Sequence, residues 1–268
     1  MRLIVYLLCP LILLNSFALA QTESPYNFNW KIDLIAASAT GLVAAGGIVA
    51  DYHVQPLTEA QVLGLNRFDQ PKFDRIAIGR WNSKADLASD VFLYSSLTLP
   101  ALMMIDKRAR KDFLVVGFIY AETALLTLGV TEFFKAGVRR PRPFTYNPDV
   151  AMHVKTERDA RFSFLSGHTS ITAALCFTTA KVFSDYSDNS THKALVWTSA
   201  AVLPLITGVL RVEAGKHFPT DVIAGYLVGG AIGYLVPWLH KRKPITEGLT
   251  ISPVGLKGGA GVFVSYKL

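Results

Sequence analysis

Residues 113–134 read FLVVGFIYAETALLTLGVTEFF, and directly behind them come Lys135, Arg139, Arg140 and the pair Arg142-Pro143. An apolar run of this kind comfortably reaches the roughly 20 residues with which an α-helix crosses a bilayer. It carries only Glu122 and Glu132 inside it and delivers cations into the loop that follows. A long apolar helix that ends on a basic loop therefore frames the rest of the chain.

Working outward, residues 34–50, 91–105, 195–210 and 222–239 form further apolar runs, with a weaker one at 171–183. Each reads as a helix, either a span or a buried core helix. The composition, 51% hydrophobic and 18% charged, lies between an ordinary soluble enzyme and a polytopic membrane protein. The expected fold class is all-α: a bundle of about six core helices, membrane embedded, with a short C-terminal β-hairpin. That hairpin is read from 249–252 and 262–268, which flank Gly258-Gly259-Ala260-Gly261.

The expected domain organisation has four parts. Residues 1–20 form a signal peptide, because Arg2 precedes an apolar run and Ala18-Leu19-Ala20 offers a small-residue cleavage site. Residues 21–88 form an N-terminal helix and a loop-rich segment packing on the core, 89–243 the helical core, and 244–268 the hairpin tail. Cleavage near Gln21 would leave Cys176 alone, so no disulfide framework is expected.

The net charge of +7 attracts nucleic acid, anionic membrane or anionic substrate alike, so its distribution matters more than its size. Residues 135–161 hold seven cations, but no aromatic-interleaved basic helix, zinc-ligand pattern or stacking platform appears elsewhere, and nucleic-acid binding is not expected. Lys107, Arg108, Arg110 and Lys111 fill a short loop and His240–Lys243 follow the last run. Both loops read as cytoplasmic if the helices span. Traced from there, the segments carrying the polar clusters described next fall on the outer side, with 34–50 as an outer-side helix lying on or within the bundle.

Three short clusters carry chemistry. Lys135, then six residues, then Arg142-Pro143 puts two cations into one loop. Ser166-Gly167-His168 stands ahead of a helical run, where backbone N–H groups lack intrahelical partners and hold anions readily. Arg211, five residues, His217, three residues, Asp221 completes the set, with Pro219 opening the final helix. An imidazole and a carboxylate four apart can pair so that one ring nitrogen is held and the other left free as a nucleophile.

In this order and spacing the clusters resemble the type 2 phosphatidic acid phosphatase superfamily, which includes lipid phosphatases, bacterial acid phosphatases and vanadium haloperoxidases. The resemblance covers roughly 113–234, with Leu165 where the second motif usually has proline and Leu210 where the third usually has serine. It implies a hydrolase of phosphate monoesters or diphosphates, of lipids above all, that works through a phosphohistidine and without metal or other cofactor. It implies His217 as nucleophile, His168 as acid and Asp221 as the group that orients His217. Lys135, Arg142, Ser166, Gly167 and Arg211 would grip the phosphate. The implied place is a bacterial cytoplasmic membrane with a periplasm-facing site and a phosphorylated lipid as partner. Competing expectations are a soluble periplasmic acid phosphatase on small monoesters, a vanadium-dependent haloperoxidase, and a non-catalytic protein that binds anionic lipid. Neither the individual substrate nor the oligomeric state is legible.

Overall fold

The computed structural model describes residues 24–241 and the backbone of 249–256 and 259–266, so the signal segment read at 1–20 lies outside the described residues. Among the described residues, six helices of 14 residues or more carry the fold: α1 Trp30–Tyr52, α2 Ser83–Ser96, α3 Phe113–Val138, α4 Gly167–Tyr186, α5 Ser190–Glu213 and α6 Pro219–Leu239. Their starts follow local chemistry. Asn29, Asn82 and Asn189 each accept backbone N–H bonds at the first turns of α1, α2 and α5, and Pro219 opens α6 with a ring already set to helical φ. Past the core, Leu249–Leu256 runs antiparallel to Gly259–Tyr266.

Among the described residues, α1, α3, α5 and α6 are long and apolar enough to cross a membrane. The weak run at 171–183 is the middle of α4, and its modest hydropathy has a structural reason. This helix packs on α6, α5, α3 and α2, so it meets protein on nearly every face. Its hydroxyls bond across helices: Ser170 Oγ lies 3.0 Å from Thr131 Oγ1, and Thr178 Oγ1 donates to the Gly233 carbonyl at 3.1 Å. A helix shielded by its neighbours can be polar where a lipid-facing one cannot.

The α4–α6 contact is set by a glycine seam. A Cβ on Gly225, Gly229 or Gly233 would stand 2.8, 2.0 or 2.2 Å from the carbonyl oxygens of Ser166, Ser170 and Ala174, so only glycine lets the two backbones meet. The seam fixes the start of α4 against the start of α6, where two of the three clusters lie. Gly229→Val is expected to lower the thermal midpoint of the detergent-solubilised protein strongly, because such overpacking costs about 1–3 kcal/mol or more. Gly230→Ala serves as the control, since its Cβ would meet Phe177 at an ordinary 3.6 Å. Equal midpoints for the two variants would count against the seam. A second close approach, Gly47 on Gly129, joins α1 to α3.

Two expectations need correction. The run at 91–105 is not one helix: α2 stops at Ser96 and a separate short helix, Leu99–Met103, begins beside Pro100. Helix α2 instead starts earlier, at Ser83, inside the segment read as loop-rich. Nor does 34–50 stay at the end of the bundle that carries the polar clusters, where it was expected. Helix α1 starts at the end that holds the basic loop, where Tyr26 pairs with Lys241 and Asp33 lies 3.3 Å from His240 Nε2. It finishes at the other end, where Asp51 pairs with Arg158.

Candidate active site

The three clusters sit at the exit of α3, the entrance of α4 and the turn between α5 and α6, and packing turns these ends toward one another. The backbone does part of the joining. The Ser166 amide donates to the Asp221 carbonyl at 3.2 Å, Phe144 to Gly215 at 3.0 Å and Arg142 to Ala160 at 2.8 Å. Lys135 Nζ stands 3.5 Å from where a Cβ on Gly167 would be, which brings the first cluster to the second.

His217 is buried, with 1% of its surface exposed, and its Nδ1 lies 2.5 Å from the Ser163 carbonyl. A carbonyl only accepts, so Nδ1 carries the proton and Nε2 keeps a free lone pair. Burial first, then the charges of Arg142 and Arg211, push this imidazole well below its ordinary pKa of 6.5. A group on the chain that is both neutral and oriented in this way is equipped to attack an electrophile.

Around it the cations are only partly satisfied. Arg142, 4% exposed, donates from Nη2 to Asp159 at 2.7 Å, while its Nε and Nη1 are buried without a partner. Arg211, also 4% exposed, donates from Nη1 to Asp86 and to Ser89 Oγ, and its Nε is likewise buried and unpartnered. Lys135 pairs with Glu132 at 2.8 Å. Burial works against ionisation of Asp159, but Arg142, supported by Lys216, Lys135 and Arg211, outweighs it and holds the carboxyl below its ordinary range. Buried charged donors left without acceptors are costly, so three such nitrogens beside one imidazole form a socket for an anion.

The expected partner of His217 is displaced. Asp221 does not reach the imidazole: its Oδ2 accepts from Ser163 Oγ at 2.5 Å and from the Phe218 amide at 2.8 Å, and its Oδ1 accepts from Arg140 at 2.6 Å. The carboxylate caps the first turn of its own helix and holds Ser163, whose carbonyl holds His217. Ser166 is also more occupied than expected, its amide bonded to Asp221 and its hydroxyl 2.9 Å from Thr169 Oγ1. His168 has its Nε2 2.7 Å from Asp90 Oδ1.

Several residues that support the site went unnoticed in the sequence. Asp86 and Asp90 lie one turn apart on α2 and face Arg211 and His168. Their spacing behind the Asn82 cap was a readable sign of one polar helix face. Ser163 had no comparable signal, since its value lies in a backbone carbonyl. Arg140 stacks 3.9 Å above the Phe218 ring and donates to Gln70, Asp74, Thr220 and Asp221. The Asp74 and Asp221 side chains are both fully buried. Arg140→Met is therefore expected to destabilise the fold by about 3–5 kcal/mol, because it strands two buried carboxylates. Denaturant titration checks this, and a loss under about 1 kcal/mol would contradict the bracing role.

The chain resembles known proteins in sequence over its helical core. The sequence model described as the PAP2 superfamily matches residues 116–245. The chain is 28% identical over 144 residues to the lipid A 4'-phosphatase of Porphyromonas gingivalis, a match spanning 53% of this chain and 57% of that protein. It is 30% identical over 157 residues to the undecaprenyl-diphosphatase of Sulfolobus acidocaldarius, spanning 58% of this chain and 68% of the relative. With phosphatidylglycerophosphatase B of Bacillus subtilis it shares 31% identity over 155 residues, spanning 55% and 70%.

Proposed function

The chain belongs to the PAP2 superfamily, and from that premise we propose that it is a phosphatase that cleaves phosphate monoesters or diphosphates of lipids through a phosphohistidine. The observation that carries this reading is the unpartnered set of buried N–H groups on Arg142 and Arg211 beside an imidazole whose Nε2 is free. A phosphoryl group has three equatorial oxygens to satisfy such donors, and its phosphorus accepts a nucleophile in line.

In the proposed sequence His217 Nε2 attacks phosphorus, the N–P bond forms and the bond to the lipid oxygen breaks. With Nε2–H of His168 held by Asp90, Nδ1 delivers a proton to the departing oxygen from the imidazolium. Burial and then Arg211 push the pKa of this ring down to about 4 in the free protein, and the negative charge of a bound phosphate favours the protonated form that serves as the acid. Water then attacks phosphorus, the N–P bond breaks and inorganic phosphate leaves. Lys135, Arg142, Arg211 and the free amides of the first turn of α4, at Gly167 and His168, stabilise the equatorial charge. Asp221 acts through Ser163 as a positioning residue, and Ser166 shapes the turn that presents those amides.

A lipid is favoured because the outer faces of α1, α5 and α6 expose large apolar side chains such as Leu42, Leu205, Val209 and Leu227, while the catalytic cluster lies at one end of the bundle. A headgroup at the bilayer surface would meet the site there. Lys107–Lys111, a short basic helix just ahead of the start of α3, lies a helix length away from Lys135, and its charge supports a cytoplasmic position for that end and a periplasmic one for the site. Single cysteines placed at Asp149 and Asp188 in a chain freed of its own cysteines report the sidedness. A membrane-impermeant maleimide should label the first in intact cells and the second only after lysis. The reverse pattern overturns the orientation.

The activity itself is tested by phosphate release from phosphatidic acid, phosphatidylglycerol phosphate, undecaprenyl diphosphate and lipid A in mixed micelles. Release from at least one, absent in His217→Ala, is expected. A folded wild-type protein that releases phosphate from none of them removes the reading, and faster turnover of p-nitrophenyl phosphate than of every lipid removes the lipid preference.

A further inference from the structure

At the same end of the molecule as the catalytic cluster, but outside it, a cavity of about 600 Å³ lies between the 62–67 segment, the Ile78-Gly79 turn and residues 145–155. Its volume falls in the range of roughly 300–1,000 Å³ that small-molecule sites occupy. None of the residues assigned above to catalysis or phosphate binding lines it. Val62, Leu65, Ile78 and Met152 give it apolar walls, and no carboxylate is among its lining residues.

Two cations line the same space. Lys155 is only 7% exposed, and its ammonium has no hydrogen-bond or ion-pair partner among the described residues. Arg67 lies over the Phe68 ring, 5.8 Å from its centroid, and has no ion pair there either. Beside them, Asn66 accepts from the Phe68 amide with Oδ1 at 3.0 Å, and its side-chain NH₂ remains available as a donor. Two cations and an amide donor facing one cavity with no carboxylate in its lining leave that space positive, and an anion is the occupant that balances it.

We infer that this cavity is a second binding site, for an anion with an apolar body: a phosphate or carboxylate group held by Lys155 and Arg67, its hydrocarbon part against Val62, Leu65 and Met152. The inference does not rest on the catalytic reading. The site lies close to the catalytic supports, because Tyr146 lines the cavity and accepts from Gln70 Nε2 at 2.9 Å, while Gln70 Oε1 accepts from Arg140. The natural ligand is either a soluble amphiphilic anion or the headgroup of an anionic lipid, and both present the same chemistry.

Calorimetric titration of the detergent-solubilised full chain with hexylphosphonate, which cannot be hydrolysed, counts the sites. Wild type should bind two equivalents. Lys155→Met should lose one and keep the other, and the Arg142→Ala, Arg211→Ala double variant should lose the opposite one. Arg67→Gln should weaken the Lys155-dependent equivalent at least tenfold, which keeps the test open if Lys155→Met fails to fold. Two equivalents retained by Lys155→Met, or a single wild-type equivalent that vanishes with Arg142 and Arg211, overturns the second site. Absence of turnover would sink the phosphatase reading and leave this count untouched. Nanodiscs of phosphatidylcholine containing dihexadecyl phosphate separate the two sources: if they abolish the Lys155-dependent equivalent the headgroup is the ligand, and if it persists a soluble anion is.

Discussion

Replacing His217 by alanine is expected to lower kcat by about 10⁴-fold or more, the scale on which loss of a nucleophile acts in enzymes that use covalent catalysis. Binding of orthovanadate should stay within about tenfold of wild type, since Arg142, Arg211 and Lys135 remain in place. The expectation rests on one hydrogen bond. Because the Ser163 carbonyl fixes the proton on Nδ1, the lone pair on Nε2 is the one the proposed reaction uses, on a ring that is 1% exposed. A pH profile gives an independent check. The pKa of His217 is depressed well below 6.5, so its neutral form persists as pH falls past that value. The acid limb of kcat/KM that reports the free nucleophile should therefore lie well below pH 6.5. An acid limb at or above that value, or turnover by His217→Ala within tenfold of wild type, would remove His217 from the reaction.

The helices were readable because lipid-facing surfaces leave a strong trace: the 113–134 run announces α3 by its length and apolarity alone. Helix α4 left a weak trace for the opposite reason, since it is surrounded by other helices and its threonines and serines bond to them. The glycines at 225, 229 and 233 stood in plain view at helical spacing, yet their meaning depends on which helix lies opposite, and hydropathy does not tell. The same limit applies to the site. Side chains that carry charge and recur in fixed spacing, such as Lys135, Arg142, Arg211 and His217, could be named from the sequence. The parts that hold them could not. Asp86 and Asp90 straddle the boundary drawn between the loop-rich segment and the core, Asp159 is one acid in a basic segment, and Ser163 contributes a backbone oxygen that every residue type possesses. The spacing of His217 and Asp221 pointed to a direct pair because residues four apart share a helix face, but His217 lies ahead of α6 and not on it. The carboxylate therefore reaches the helix start, Ser163 and Arg140 instead.

Arg142→Met should separate function from stability more sharply than any other substitution at this site. Two of the three guanidinium nitrogens of Arg142 are buried without acceptors, and its one partner, Asp159, has a side chain 56% exposed that can turn to water. Removing the charge therefore strands little and relieves a desolvated cation, so the thermal midpoint should hold or rise. Turnover should fall by about 10²- to 10³-fold, the usual cost of deleting one preorganised donor to developing charge. The pH profile should move as well. With the first cation named in its depression gone, His217 takes up a proton more easily, and the acid limb of kcat/KM should shift upward toward 6.5. An arginine kept for structural reasons would give the opposite outcome: a lower midpoint, little change in kcat and an unmoved pH limb. The combination of unchanged or higher stability, lost turnover and a displaced limb is what a cation held in readiness for an absent anion requires, because only such a group is unsatisfied in the empty protein and satisfied in the transition state.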